Sequence, residues 1–203
     1  MPLVVKKQAI VESKGMPGHR ALMLAGQFQM AEKPNANQRI YEQAILSHAV
    51  KEIQEDVKAR RVMGEFDHPP DAKIHLDRVS HLIVNLWEDG PAVYGELEIM
   101  EGTPMGSIAK TLIESGVQLG ISSRGVGDME TTIREGEEFF RVLPGFTLIT
   151  FDIVAEPSVK GSYLSIRESR DRLMRVLKSN TTKNIREEAE HKLLEMLKSK
   201  LIV

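Results

Sequence analysis

The sequence predicts an α+β domain: a mostly antiparallel sheet or barrel up to about residue 164, followed by a helical C-terminal segment. Three observations lead there. Short apolar runs alternate with Gly, Pro and Asp-Gly turn signals up to about residue 164. Within that span only two stretches carry apolar residues at helical spacing. After about residue 165 the pattern turns helical. The division is therefore a domain over 1–164 and a helical tail over 165–203.

Taken in order, "PLVVKKQAIVE" reads as an opening strand and "HRALMLAGQFQMA" as a second, parted by the turn residues of "SKGMPGH". "EKPNANQRIY" is a polar loop before a helix from about Tyr41 to Lys58, where Leu46, Val50, Ile53 and Val57 make one buried stripe. His48 and Glu52 fall elsewhere on that helix. A strand over 61–66 leads into "GEFDHPP", and strands over 78–88 and 91–100 flank "EDGPA", a hairpin connection with Asp-Gly and Pro. "TPMGSIAKTLIESG" is a second helix, with Thr103 as cap, Pro104 in the first turn and Gly116 at the end. "VQLGISSRGVGDMETTIREGEEFFRVL" gives strands divided by glycine turns, and "TLITFDIVAEPS" a last strand ended by Pro157. In the tail, "SIRESRDRLMRVLKS" and "IREEAEHKLLEMLKSKLIV" are helical patterns around the breaker "NTTKN". Such a tail can cover the barrel, dimerise, or hold the chain to a scaffold.

Composition narrows the function. Apolar residues are 41% and charged residues 28% of 203 positions, which describes a folded globular chain and not a disordered one. The formal charge of −2 gives no electrostatic case for nucleic acid or an acidic membrane surface. Cysteine is absent, so disulfides, thiol nucleophiles and thiolate metal sites are excluded. No apolar run approaches the ~20 residues of a membrane span, and "MPLVVKKQAIVESK" lacks a signal-peptide layout. The expectation is a cytoplasmic protein.

Three segments carry polar residues that a plain core strand does not need: "GEFDHPP", "LGISSRGVG" and "TFDIVAEPS". His68, a serine at 122 or 123, and Asp152 supply the residue types of a hydrolytic triad, in which histidine takes the serine proton and the carboxylate orients the imidazole. If 117–124 is extended, Ile121 and Ser123 share the apolar face while Gly120, Ser122 and Arg124 share the other. Ser122 is then the accessible hydroxyl and Ser123 the one that packs; a bulge near the glycines reverses the choice. The Arg124 guanidinium and the backbone at Gly125 are candidate stabilisers of an oxyanion. Asp152, between Phe151 and Ile153, is costly unless paired or on a wet face. By strand alternation Glu65 and Asp67 point away from His68, so neither is chosen as its orienting acid. His75 reads as a surface residue and Trp87 as core or interface. A metal site from Asp67, His68, His75, Asp77 and His81 is the competing reading, but these residues follow no known ligand spacing.

Taken together, "NANQRIY", "GEFDHPP", the long stretch from "VSHLIVNLWEDG" to "GISSRGVG", and "FDIVAEPS" resemble, in order, the prohead maturation proteases of tailed bacteriophages, in particular the myovirus prohead core protease. The resemblance covers roughly residues 20–160. It implies a serine endopeptidase with the fold of the herpesvirus assemblin proteases, a small, mostly antiparallel β-barrel surrounded by helices, needing no cofactor. His68 matches the base and Ser122 the nucleophile. Asp152 matches the third member, where the assemblins carry a second histidine. It further implies cleavage of scaffold, capsid proteins and the protease itself inside the assembling prohead in the host cytoplasm, after Glu with a small or aliphatic residue two positions earlier, with homo-oligomerisation left open. Glu12, Glu114 and Glu195 lie in stretches of that kind. A catalytically inactive scaffold component is the alternative.

Overall fold

The computed structural model describes residues 10–12, 20–69, 71–134 and 136–166. The tail expected from 165 onward lies outside them except for residues 165 and 166, which form a short strand and not a helix. Most of the expected opening strand also lies outside them.

In chain order the described elements are β1 (Ile10–Glu12), β2 (Arg20–Met30), β3 (Arg39–Ile40), α1 (Gln43–Lys58), β4 (Met63–Glu65), β5 (Val79–Asp89), β6 (Ala92–Ile99), α2 (Pro104–Glu114), β7 (Gly120–Val126), β8 (Met129–Arg134), β9 (Glu137–Val142), β10 (Thr147–Val154) and β11 (Ser165–Ile166). The apolar stripe of α1 is buried at Leu46, Val50, Ile53 and Val57, and the helix packs against β5 and β10. Thr103 caps α2 by accepting the Gly106 amide at 3.0 Å. Gly116, in the left-handed region at φ 84°, follows the end of that helix. Gly90 (φ 57°) and Pro91 turn the β5–β6 hairpin, with Asp89 opposite Ala92. β3 lies inside the stretch expected to be pure loop and pairs in parallel with β9.

The strands make three sheets and not the closed barrel expected. The largest runs β1-β2-β6-β5-β4, with β11 on the β2 side; β10 pairs β7, and β8 pairs β9 beside β3. Single bridges, Phe66 to Ile153 and Gly120 to Tyr163, stand at the two places where a barrel would close. At the first of these the physical reason is local. Asp67 takes a left-handed conformation at φ 70°, so the chain turns out of the ladder directly after Phe66. A mostly antiparallel α+β fold is present; its ladder is open among the described residues.

One core runs under these sheets. Phe28 of β2 meets Phe151 of β10 edge to face at 5.0 Å, and Tyr41 meets Phe146 at 5.3 Å. Trp87, expected in the core or an interface, is 40% exposed and stacks on Tyr94 at 5.9 Å across the hairpin. His81, a candidate ligand of the competing metal reading, lies in this core. Fully buried on β5, it bonds the Phe151 carbonyl through Nε2 at 2.9 Å and meets the Ser80 hydroxyl through Nδ1 at 2.8 Å. A carbonyl only accepts, so Nε2 carries the proton and the ring is the neutral tautomer. Gly64 permits this approach, since a Cβ there would stand 2.2 Å from both His81 Nε2 and the Phe151 oxygen.

Burial pushes His81 from 6.5 down to about 4, against the Phe151 bond and the Asp152 charge, which raise it; Arg124 lowers it. Between these values the unfolded chain binds the extra proton, so acid favours unfolding. This contribution is complete above about pH 6.5 and is lost as pH falls through about 4, amounting to about 3 kcal/mol. Urea unfolding from pH 7 to 4 is expected to show that slope in wild type and a shallower one in His81→Gln. Gly64→Ala is expected to cost about 1–3 kcal/mol in the same experiment, as overpacking.

Candidate active site

β10 presents an apolar face, with Phe151 and Ile153 fully buried. Asp152 lies between them and is itself completely buried. An ionised carboxylate there needs partners, and it has them. Oδ1 accepts the Glu65 amide at 2.9 Å and Arg124 Nη2 at 2.8 Å. Oδ2 lies 2.7 Å from His68 Nδ1. Because a carboxylate accepts and does not donate, Nδ1 carries the proton, and Nε2 is left as the basic lone pair.

His68 reaches this position through a turn. The Phe66 amide bonds Arg78 O at 3.1 Å and the Asp67 amide bonds Ile153 O at 2.8 Å. Asp67 then turns left-handed, and its carboxylate accepts the His68 amide at 2.9 Å. Strand parity therefore ends at Asp67, and the alternation argument used to set Glu65 and Asp67 aside does not apply. The acid that meets the His68 ring is nevertheless Asp152, 84 residues away in sequence.

In the β7–β10 pair Ser122 stands opposite Asp152 and Ser123 opposite Phe151. Cross-strand partners share a face, so Ser122, Asp152 and Arg124 lie together while Ser123 faces the core side with Ile121. The register irregularity falls in β10 between Leu148 and Thr150, outside the 120–124 stretch. Exposure runs opposite to the expectation. Ser122 is only 5% exposed, its Oγ 3.1 Å from Ser158 Oγ, and Ser123 is half-buried, its Oγ accepting Gln29 Nε2 at 2.7 Å. The cover over Ser122 comes from the "AEPS" turn, which local alternation does not reveal. The Ile121 amide donates to Ser162 O at 2.9 Å, away from β10. By alternation the amides of Ser123 and Gly125 leave the strand on that same edge.

Arg124 is not placed to meet a substrate oxygen through its guanidinium. Only 6% exposed, the side chain is held between two buried carboxylates: Nη2 lies 2.8 Å from Asp152 Oδ1 and 3.2 Å from Glu65 Oε1, while Nη1 donates to Lys73 O at 2.7 Å. Glu65 is the residue that sequence reasoning missed. Its Oε1 also accepts the His75 amide at 2.7 Å, and Arg78 Nε lies 3.4 Å from Oε2. His75, expected at the surface, is half-exposed and has its ring Nδ1 3.3 Å from Glu65. The available signal was a glutamate in the short apolar strand before "FDH", the same oddity that marked Asp152. The histidines of the competing metal reading point to different partners, and no three His, Asp or Glu residues converge as a ligand set among the described residues.

Known proteins share this arrangement of chain. A model of the prohead core protein serine protease family matches residues 1–172. The prohead core protein protease of Enterobacteria phage T4 is 34% identical over 152 residues, covering 72% of this chain and 69% of its own length. The solved structure of the bacteriophage T4 capsid assembly protease aligns with TM-score 0.65 and 31% identity, covering 75% of this chain and 92% of that one. The chain belongs to the prohead core serine protease family. It is a protease.

In this protease a cleft of about 390 Å³ is lined by His68, Ser122, Ser123, Arg124, Gly125 and Ser158 among others. Of the Glu65–Arg124–Asp152 group only Arg124 lines this cleft, and the two carboxylates lie buried behind it. Removing that cation takes from Asp152 its one guanidinium and from Glu65 one of two, at a cost of about 3–5 kcal/mol. Arg124→Met is expected to lower the urea midpoint accordingly. A Glu65→Gln/Arg124→Met double variant, with one carboxylate fewer to strand, is expected to recover part of that loss. Equal losses in both would contradict the pairing.

Proposed function

We propose that this protein is a serine endopeptidase of prohead maturation in which Ser122 is the nucleophile, His68 the general base and Asp152 the acid that orients it. The observation that carries the reading is the Asp152 carboxylate, bonded to His68 Nδ1 at 2.7 Å and paired across the strands with Ser122. Rotation about Ser122 χ1 exchanges Ser158 for the imidazole; such bonds commonly tighten only when substrate is present. Ser122 Oγ then attacks the scissile carbonyl as His68 Nε2 takes its proton, and Asp152 stabilises the imidazolium. The amides of Ser123 and Gly125 receive the oxyanion, a role that leaves Arg124 to hold Asp152. His68 returns the proton to the departing amine. Water, activated by the same imidazole, cleaves the acyl-enzyme.

The substrates on this reading are the scaffold and capsid proteins of the phage, and the protease itself, cut after Glu in the prohead interior. The T4 relative named for the prohead core supports that setting. Glu12 closes β1, Glu114 ends α2, and Glu195 lies outside the described residues. Glu114 lies inside the folded domain, whereas Glu12 and Glu195 lie toward the two ends of the sequence, where cleavage is easier, so these two are the proposed sites of self-trimming. Intact mass measurement of enzyme that is cutting an added substrate should show loss of one or both terminal segments. A chain that stays full length under those conditions counts against self-trimming.

Peptides ending in Ala-, Ile- or Leu-X-Glu before the scissile bond test the activity. Ser122→Ala and His68→Ala are expected to lose at least about 10⁴-fold in kcat/KM. Ser123→Ala keeps the backbone amide at 123 and should keep most activity, and a chelator should change nothing. Loss in Ser123→Ala alone would move the nucleophile by one residue. If wild type cuts no peptide and leaves itself intact, the inactive-scaffold reading takes over.

A further inference from the structure

Six arginines have described side chains, and five of them meet a carboxylate: Arg60, Arg61, Arg78, Arg124 and Arg141. The sixth is Arg39. Its guanidinium has no hydrogen bond or ion pair among the described residues, yet it lines the cleft that holds His68 and Ser122. It also lines the adjoining pocket of about 330 Å³, whose other walls include Val126, Met129, Val142 and Phe146. The other titratable groups of the cleft already have partners. Asp71 meets His75 at 3.5 Å, His68 meets Asp152, and Arg124 meets both Asp152 and Glu65. Arg39 is the cation of this cleft that meets no carboxylate among the described residues.

The backbone that carries Arg39 is held in place. Asn35 Oδ1 accepts the amides of Asn37 at 2.9 Å and Arg39 at 3.0 Å, and the Asn35 amide donates to Arg39 O at 3.0 Å. The Ala36 amide bonds Ser158 O at 2.7 Å, tying this turn to the residue that touches Ser122. Gln38, left-handed at φ 57°, accepts the Phe140 amide, and β3 pairs with β9. A cation built on so fixed a turn loses little further freedom when it binds an anion.

We propose that Arg39 is a specificity-determining residue, the cation that receives the acidic side chain next to the scissile bond, with the adjoining apolar pocket taking an aliphatic side chain two residues earlier. In an extended peptide such side chains lie on one face, about 7 Å apart. The two pockets share Arg39, Tyr41, Ser123 and Gly125, so a peptide running from the apolar pocket toward Ser122 passes Arg39. Guanidinium and carboxylate match in charge and can bond through two parallel N–H donors. The assignment rests on the cleft being the place of hydrolysis.

The test uses three peptides identical except for Glu, Gln or Lys before the scissile bond, with kcat/KM measured for wild type, Arg39→Gln and Arg39→Glu. A charge-assisted bond predicts that the Glu-over-Gln ratio of wild type falls about 10- to 100-fold in Arg39→Gln. Arg39→Glu should prefer the Lys peptide, a gain that misfolding does not produce; melting temperatures of both variants check the fold directly. An unchanged Glu-over-Gln ratio in Arg39→Gln, with cleavage still dependent on Ser122, overturns the role of Arg39 and leaves the protease site standing. Cleavage that survives Ser122→Ala removes the site and this role together.

Discussion

A single buried carboxylate organises this molecule. Asp152 sits between the fully buried Phe151 and Ile153, and its ionised form is tolerable only because an amide, a guanidinium and an imidazole converge on it. Each partner comes from a different element: Glu65 from the end of β4, Arg124 from β7, His68 from the turn after β4. Satisfying one charge therefore ties three chain segments together. The Glu65 carboxylate extends the same logic outward, holding Arg124 from the far side and accepting the His75 amide.

The site sits beside one of the places where the ladder opens. β4 runs alongside β10, joined by the Phe66–Ile153 bridge and by the Thr150 hydroxyl donating to the Met63 carbonyl. Beyond that bridge the chain turns away at Asp67, and the imidazole of His68 reaches the Asp152 carboxylate from the turn. The supporting contacts lie close by. His81 spans from β5 to the Phe151 carbonyl, one residue from Asp152, and Gly64 leaves the space for its ring. Core packing and site geometry are thus two descriptions of the same few residues.

How much of this was legible depends on the range of the interaction. Regular alternation in "GISSRG" placed Ser122 with Arg124 and Ser123 with Ile121, because the strand there is unbroken. Caps and turns at Thr103, Gly90 and Gly116 were equally local and equally readable. The oddity of an aspartate within "TFDIV" was visible, although its partners were not. Arg124 reads as a free guanidinium until Glu65, 59 positions earlier, is brought beside it. Ser122 reads as accessible until Ser158 folds over it. Parity failed at Asp67, since a single left-handed residue resets which way every later side chain points. Cross-chain contacts of this kind are set by the packing of whole elements, and one sequence holds no record of the pairing.

The account turns on Ser122 being the hydroxyl that His68 activates. The most direct measurement is covalent labelling with an alkyl fluorophosphonate, which forms an O–P bond with an activated serine and expels fluoride, followed by mapping of the modified peptide by tandem mass spectrometry. The account predicts a single adduct on Ser122 that disappears in His68→Ala. An adduct on Ser123, or labelling of Ser122 that proceeds equally well without the imidazole, would contradict it.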